Sequence, residues 1–242
     1  MTGAASAPPP LAGRVAVVTG GTYGIGAAAA ATLSELGAAV VAAGRRPEAV
    51  KEPIAGVTYL AADVRSYDDM QRLRDTALSQ YGGLDIVVAN AGISDWGVLA
   101  EGDPTHWPQV VETNILGTAY TLKATLPHLI AQGHGHVVIV SSISGRVAYA
   151  GEPIYIATKW ALVGLGRSVR KEVAPHGVKV TLIEPGIVDT PMVSNTEEGR
   201  LELAQVEALT AANVADTIGY ALTRPGHVDI DELMLSPVEQ TL

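Results

Sequence analysis

Tyr155 and Lys159, in Tyr155-Ile156-Ala157-Thr158-Lys159, share one face if the segment is helical. A phenol with a pKa near ~10 is a poor base at neutral pH. An ammonium beside it, and more so a second positive charge, favours the phenolate and lowers that value. Such a phenol can take a proton from an alcohol or give one to a nascent alkoxide. The spacing alone recurs by chance, so its meaning depends on what accompanies it. Ser141, Ser142 and Ser144 stand at the end of the apolar run Val138-Ile139-Val140. A hydroxyl at the C-terminal end of a strand lies where open α/β sheets bind ligands. There it can donate to an oxygen on which charge develops. These residues by themselves do not choose among the three serines.

Val15-Ala16-Val17-Val18 runs into Thr19-Gly20-Gly21-Thr22-Tyr23-Gly24-Ile25-Gly26, and an alanine-rich segment of helical character follows. Glycines at this joint permit a tight turn and close backbone approach to a pyrophosphate. The next helix then directs its N-terminal amides at that charge. The strand before the loop and the helix after it make dinucleotide binding the better reading than an ordinary turn. About 20 residues on, where NAD enzymes carry an acid for the ribose 2′-hydroxyl, the chain reads Gly44-Arg45-Arg46. A guanidinium fork pairs with a 2′-phosphate that a carboxylate would repel, so NADP is expected rather than NAD. Tyr23 stands where a second basic residue would have strengthened that expectation.

These groups need a scaffold, and the pattern of the chain supplies one. Short runs rich in Val and Ile (Val15–Thr19, Ala38–Ala43, Val57–Ala61, Leu84–Ala89, His136–Ser141, Val178–Glu184, Val228–Leu235) alternate with segments of helical length. Those segments are Ile25–Leu36, Tyr67–Gln80, His106–Ala131 and Ile154–Ala174. Alternation of this kind predicts an α/β fold with a mainly parallel, seven-stranded sheet and helices on both faces. The expected division is a flexible leader over 1–12 and a single domain over 13–242, with a mobile substrate lid at about 187–213.

The 242 residues are 48% hydrophobic, enough for one sizeable core. Net charge is -9 with no Lys/Arg block, which removes the electrostatic footprint of a nucleic-acid partner. With no Cys, disulfides and thiolate metal sites are excluded, and the six His form no ligand pattern, so no metal is expected. No apolar stretch is long enough to span a bilayer, and the start lacks the charged and apolar regions of a signal peptide. A cytoplasmic enzyme with no membrane partner is the expectation.

Thr19–Gly26, Asn90-Ala91-Gly92, Asn114, Ser142, Tyr155-x-x-x-Lys159 and Pro185-Gly186 together resemble, in order and spacing, the short-chain dehydrogenase/reductase family, over nearly the whole chain. The resemblance implies a doubly wound Rossmann fold and interconversion of a carbonyl and its alcohol with NADP. It implies a catalytic tetrad of Asn114, Ser142, Tyr155 and Lys159, the Asn holding a water and the Lys also binding the nicotinamide ribose. The spacing to Tyr155 selects Ser142 among the serines. Cofactor contacts would fall to Gly20, Thr22, Tyr23, Gly24, Ile25 and Gly26 in the loop, and to Arg45 and Arg46 at the ribose. Asp63 and Val64 would flank the adenine, and Asn90, Ala91 and Gly92 would line the cleft. Pro185 and Gly186 lead into Ile187–Thr190, where Val188 and Thr190 would meet the carboxamide.

From Ala208 to Leu233 the chain resembles the NADP-dependent 3-hydroxy acid dehydrogenase branch, which includes reductases of small aldehydes. The substrate, a small carbonyl compound or alcohol, would sit among Ile93–Trp96, Ile143–Arg146, Tyr149, Gly186–Val188 and Met192. Arg146 is read as pairing locally beside Gly145 rather than anchoring a substrate carboxylate. A catalytically silent NADP-binding redox sensor on the same fold is the rival reading. Such proteins lose the Tyr, Lys or Ser, and all three are here. Trp160, Leu162, Val163, Leu165 and Val169 are expected to leave an outward apolar stripe, the interface of a homotetramer.

Overall fold

The computed structural model describes residues 7–240. Seven strands form one sheet in the order β3-β2-β1-β4-β5-β6-β9. They are β1 (Val15–Thr19), β2 (Ala39–Gly44), β3 (Val57–Ala61), β4 (Ile86–Ala89), β5 (Gly135–Val140), β6 (Val178–Pro185) and β9 (Glu232–Leu235). Every pairing is parallel, as strands bridged by crossover helices must be. The near-continuous apolar runs follow from burial on both faces, and in β1 and β4 all residues are buried.

On one face, α2 (Tyr67–Tyr81), α4 (Gly117–Gln132) and α5 (Pro153–Val173) pack around Leu73, Leu129, Leu162 and Ile139. On the other, α1 (Gly24–Glu35) and α8 (Ala211–Leu222) cover Ala16, Val18 and Val40 through Leu33 and Ile218. The strand order reverses between β1 and β4, which opens a crevice beyond their C-terminal ends. The glycine loop, the 90–94 segment and the start of α5 all meet there.

Several boundaries differ from expectation for identifiable reasons. The 1–12 leader is partly docked: Leu11 is 5% exposed, and its amide donates to Leu36 O at 2.8 Å. Residues 1–6 of that leader lie outside the described residues. The last strand begins at Glu232 rather than Val228, because pairing with β6 begins at Leu182↔Glu232. The expected helix over His106–Ala131 is three pieces: α3 (Trp107–Val111), a π turn (Glu112–Leu116) and α4.

The segment at 187–213, expected as a mobile lid, carries regular structure of its own. It holds β7 (Val188–Asp189), α6 (Pro191–Ser194), α7 (Glu197–Leu203) and β8 (Leu209–Thr210). β7 and β8 pair in parallel, and a Thr210–Asn213 capping box starts α8. The outward stripe on α5 is also corrected. Leu162, Val163 and Val169 recur with Lys159 and Gly166 at helical spacing and are buried against the sheet. Trp160, at 50% exposure, is the large residue of that set left outward.

Candidate functional site

In the glycine loop, Gly20 (φ +64°) and Gly24 (φ +55°) occupy left-handed backbone that side chains disfavour. A Cβ on Gly26 would land on the Gly20 carbonyl oxygen and the Asn90 amide, so α1 starts tight against the loop. Its first turn faces the crevice through Gly24 and Ile25. Thr19 ties the loop to the facing strand: its Oγ1 accepts from Asn90 N (3.1 Å) and Ala91 N (3.2 Å). A Cβ on Gly44 would strike Thr22 Oγ1 at 2.5 Å. This close fit puts Arg45 and Arg46 at the mouth of the cleft.

One continuous crevice is lined by Gly20, Thr22, Tyr23, Gly24 and Ile25, by Arg45, Asp63 and Val64, and by Asn90, Ala91 and Gly92. Tyr155, Lys159 and Thr190 close its far end. Arg45 and Arg46 are exposed and border an adjoining hollow. Neither forms an ion pair among the described residues. Asp63 is held below the usual carboxylate range, chiefly by its hydrogen bonds from Arg65, with Arg45 adding to the effect. Phosphates fit this donor set: free amides at a helix start and two unpaired guanidiniums.

Lys159 is 5% exposed and its Nζ donates to Val140 O at 3.2 Å. The ammonium sits 5.4 Å from the centre of the Tyr155 ring. Burial pushes Lys159 down to about 8, against the pull of the Glu152 carboxylate. Burial pushes the Tyr155 phenol above its ordinary value, and the Glu152 charge adds to this; the hydrogen bond with Ser142 acts the other way. In the protein alone the phenol is therefore held protonated. The shift runs opposite to the lowering expected from the lysine, and desolvation leads its causes.

Ser142 lies two residues past the end of β5 and caps a short 3-10 turn, accepting from Ser144 N at 3.1 Å. Its hydroxyl donates to Ser144 Oγ (3.1 Å) and Pro185 O (3.3 Å), and its two rivals are engaged as well. Ser141 donates to the Lys159 carbonyl at 3.1 Å, and Ser144 pairs with Tyr149 OH at 2.7 Å. Asn114 is fully buried in the π turn. Its Oδ1 accepts from Ile93 N, and its Nδ2 donates to Ile93 O, both at 2.9 Å. A π turn of this kind inserts a residue and often marks a functional position.

A second hollow opens beside Ser142 and Tyr155. It is walled by Trp96, Tyr149, Met192, Gly186 and Val188, as expected, by Pro185, expected as a cofactor contact, and also by Glu152, Glu202 and Gln240, which were not foreseen. Arg146 is not in this wall. It pairs with Glu184 at 2.7 Å and Glu232 at 2.5 Å, so its partners are on neighbouring strands rather than local.

The family model of the short chain dehydrogenases matches residues 14–201. The chain belongs to the short-chain dehydrogenase family. An uncharacterized oxidoreductase of Staphylococcus epidermidis is 38% identical over 229 residues, covering 93% of this chain and 97% of that one. The closed form of a serine dehydrogenase complexed with NADP+ superposes with TM-score 0.86 at 28% identity, covering 95% of this chain and 97% of that one. A metagenomic short-chain oxidoreductase in complex with NADP gives TM-score 0.79 at 30% identity, over 93% and 97%. As a short-chain dehydrogenase, the chain places its Tyr-x-x-x-Lys helix and its glycine loop on one crevice. No described helix is long and apolar enough to cross a membrane.

Glu152 gives this site a pH signature. It is 4% exposed and is pushed up to about 7, first by burial and then by Glu202 and Asp95, against Lys159. In the fold it keeps its proton at pH values where the unfolded chain, near the ordinary 4.5, has lost it. The native state then binds more protons than the unfolded one, so this contribution to stability falls as pH rises through that window. Glu152→Gln does not titrate there. Its melting temperature relative to the native protein should therefore rise between pH 5 and pH 8, by thermal unfolding; a constant difference would remove Glu152 as the cause.

Proposed function

We propose that this chain is an NADP(H)-dependent oxidoreductase that interconverts a small carbonyl compound and its alcohol, with Tyr155 as general acid/base. The observation that carries the reading is the meeting of Ser142, Tyr155 and Lys159 where the dinucleotide-shaped crevice joins the second hollow. When bound, the nicotinamide cofactor supplies or accepts the hydride.

The chain's own residues handle the oxygen and its proton. Ser142 Oγ and Tyr155 OH converge on the place of a substrate oxygen, and both can donate to the charge that develops there in reduction. A phenol held protonated by burial is a ready acid for that oxygen. In the other direction, the base requires added positive charge, which Lys159 begins and an oxidised nicotinamide ring would complete. Asn114 acts as a positioning residue. It grips both backbone groups of Ile93 and so fixes the loop beside Gly92.

Arg45 and Arg46 support NADP over NAD, since no acid occupies the end of β2 and both guanidiniums are unpaired among the described residues. The NADP bound by two of the structural relatives points the same way. The catalytically silent alternative has no specific support, because every proton-handling group is present and assembled.

Two variants test the reading. Tyr155→Phe keeps the ring and removes the ionisable hydroxyl. Carbonyl-dependent NADPH oxidation should fall at least ~10²–10⁴-fold with NADPH binding retained; most of the kcat surviving would refute the role. Arg45→Asp exchanges an attraction for a repulsion at the 2′-phosphate, so the ratio of kcat/KM for NADPH to that for NADH should drop. If the unaltered enzyme already uses both cofactors equally, the guanidinium argument fails.

A further inference from the structure

Each turnover moves one proton between the substrate oxygen and Tyr155. Tyr155 therefore needs a partner that takes its proton in oxidation and returns it in reduction. The phenol is hydrogen-bonded to Ser142, and from Ser142 a row of hydroxyls continues without a break. Ser142 Oγ donates to Ser144 Oγ at 3.1 Å, Ser144 Oγ meets Tyr149 OH at 2.7 Å, and Tyr149 OH donates to Glu152 Oε2 at 2.8 Å. Ser142 also reaches the Pro185 carbonyl, at the longer 3.3 Å. A hydroxyl both donates and accepts, so each of these groups can pass one proton on while receiving another. Hydrogen bonds joined in this way polarise one another.

The row has the shielding and the polarity of a conduit. Ser142, Ser144 and Glu152 are buried. With Ser142 and Tyr149 as donors, the hydrogens point toward Glu152, the arrangement in which a proton leaves Tyr155. Once Glu152 holds the proton it becomes the donor, and the row reverses. The whole row lies between the end of β5 and the first turn of α5, so the loop that sets Ser142 against Tyr155 also builds it.

The row ends on a group suited to be its terminus. Tyr149 cannot keep the charge, because burial and then the Glu152 carboxylate push its phenol above the ordinary value. Glu152 lines the second hollow. Burial acts on it first, then the charges of Glu202 in α7 and Asp95 after β4, against the Tyr149 hydrogen bond and the Lys159 ammonium of α5. Asp95 is itself held by His106 at 2.8 Å. The outcome is a proton exchange at about 7, so Glu152 can take a proton and give it back near neutral pH.

We infer that this row is a proton relay with Glu152 as its terminal group, which receives the Tyr155 proton when an alcohol is oxidised and returns it when a carbonyl is reduced. The relay rests on the oxidoreductase reading above and deepens it. In oxidation the substrate hydroxyl gives its proton to the Tyr155 oxygen as its hydride leaves to the bound nicotinamide. Tyr155 hands its own proton to Ser142, Ser142 to Ser144, Ser144 to Tyr149 and Tyr149 to Glu152. Each hydroxyl loses one O–H bond and gains one, and the carboxylate ends as a carboxylic acid. It releases the proton to water in the hollow once product has left, and reduction runs the same exchanges in reverse. A phenol held protonated by burial can in this way still act as a base.

The test follows kcat for NADP+-dependent oxidation of isopropanol, cyclohexanol and glycerol from about pH 5 to about pH 9. In the unaltered enzyme kcat should rise as pH passes through about 7, where Glu152 loses its proton and the row can accept one. Glu152→Gln keeps an acceptor for Tyr149 but cannot take a proton. The rise should vanish, and kcat above it should fall by about 10-fold or more, part of the ~10²–10⁴-fold of a positioned proton transfer. Tyr149→Phe keeps the ring and leaves Glu152 ionisable but cuts the row, and should lose the same rise. Both changes together should be no worse than the more affected single variant, since each breaks one path. A mere brace for the loop would lower kcat by one factor at every pH and leave the rise where it was. The position of the rise does not depend on how much of a preparation is folded. No rise in the unaltered enzyme, a rise persisting at the same pH in either variant, or losses that multiply in the double variant overturn the relay and leave the oxidoreductase reading standing. Oxidation of none of the three alcohols by protein that binds NADP+ overturns both.

Discussion

A lysine ammonium that is 5% exposed must find acceptors within the protein, and for Lys159 the acceptor at hand is the Val140 carbonyl. That requirement ties the first turns of α5 to the end of β5. Ser141 strengthens the tie by donating to the Lys159 carbonyl, and Gly145 permits it, since a Cβ there would press on that carbonyl at 2.9 Å. Tyr155, one turn earlier on the same face, is carried to the same place. The geometry of Ser142, Tyr155 and the lysine is therefore a consequence of packing one cationic helix against one strand end.

The electrostatics follow from the same burial. Desolvation disfavours every charge at this site, so Lys159 is drawn down to about 8 and Glu152 up to about 7, while the phenol between them stays neutral. Burial and the Glu152 charge both oppose ionisation of the tyrosine. Under the proposed reading the site is set as an acid, and its use as a base depends on charge arriving with the cofactor. Around it, the glycine loop and the two arginines that follow β2 favour an anionic dinucleotide.

Much of this was legible in the chain. Parallel strands buried on both faces leave uninterrupted apolar runs, and the loop glycines are needed wherever backbone must approach backbone, so both signals survive in one sequence. Helix-spaced Tyr155 and Lys159 likewise imply their shared face. What escaped depends on distant contacts. Glu152, in Gly-Glu-Pro, carries no mark of burial in its local sequence; it shares its hollow with Glu202 and Gln240, far along the chain. The pairing of β7 with β8 joins Val188 to Leu209, too short and too separated to show a period. The π turn around Asn114 has no compositional mark, and the α5 stripe was assigned outward although its spacing is that of the core face. Arg146 was read as local, yet it bridges Glu184 and Glu232 across strands.

The claim on which this account turns is that Tyr155 remains a phenol in the protein alone. Tyrosinate absorbance, titrated in parallel for the unaltered chain and Tyr155→Phe without cofactor, isolates this one residue by difference. The account predicts that the difference signal appears only above the ordinary tyrosine value of 10.0. A tyrosinate signal from Tyr155 already present near neutral pH would contradict it.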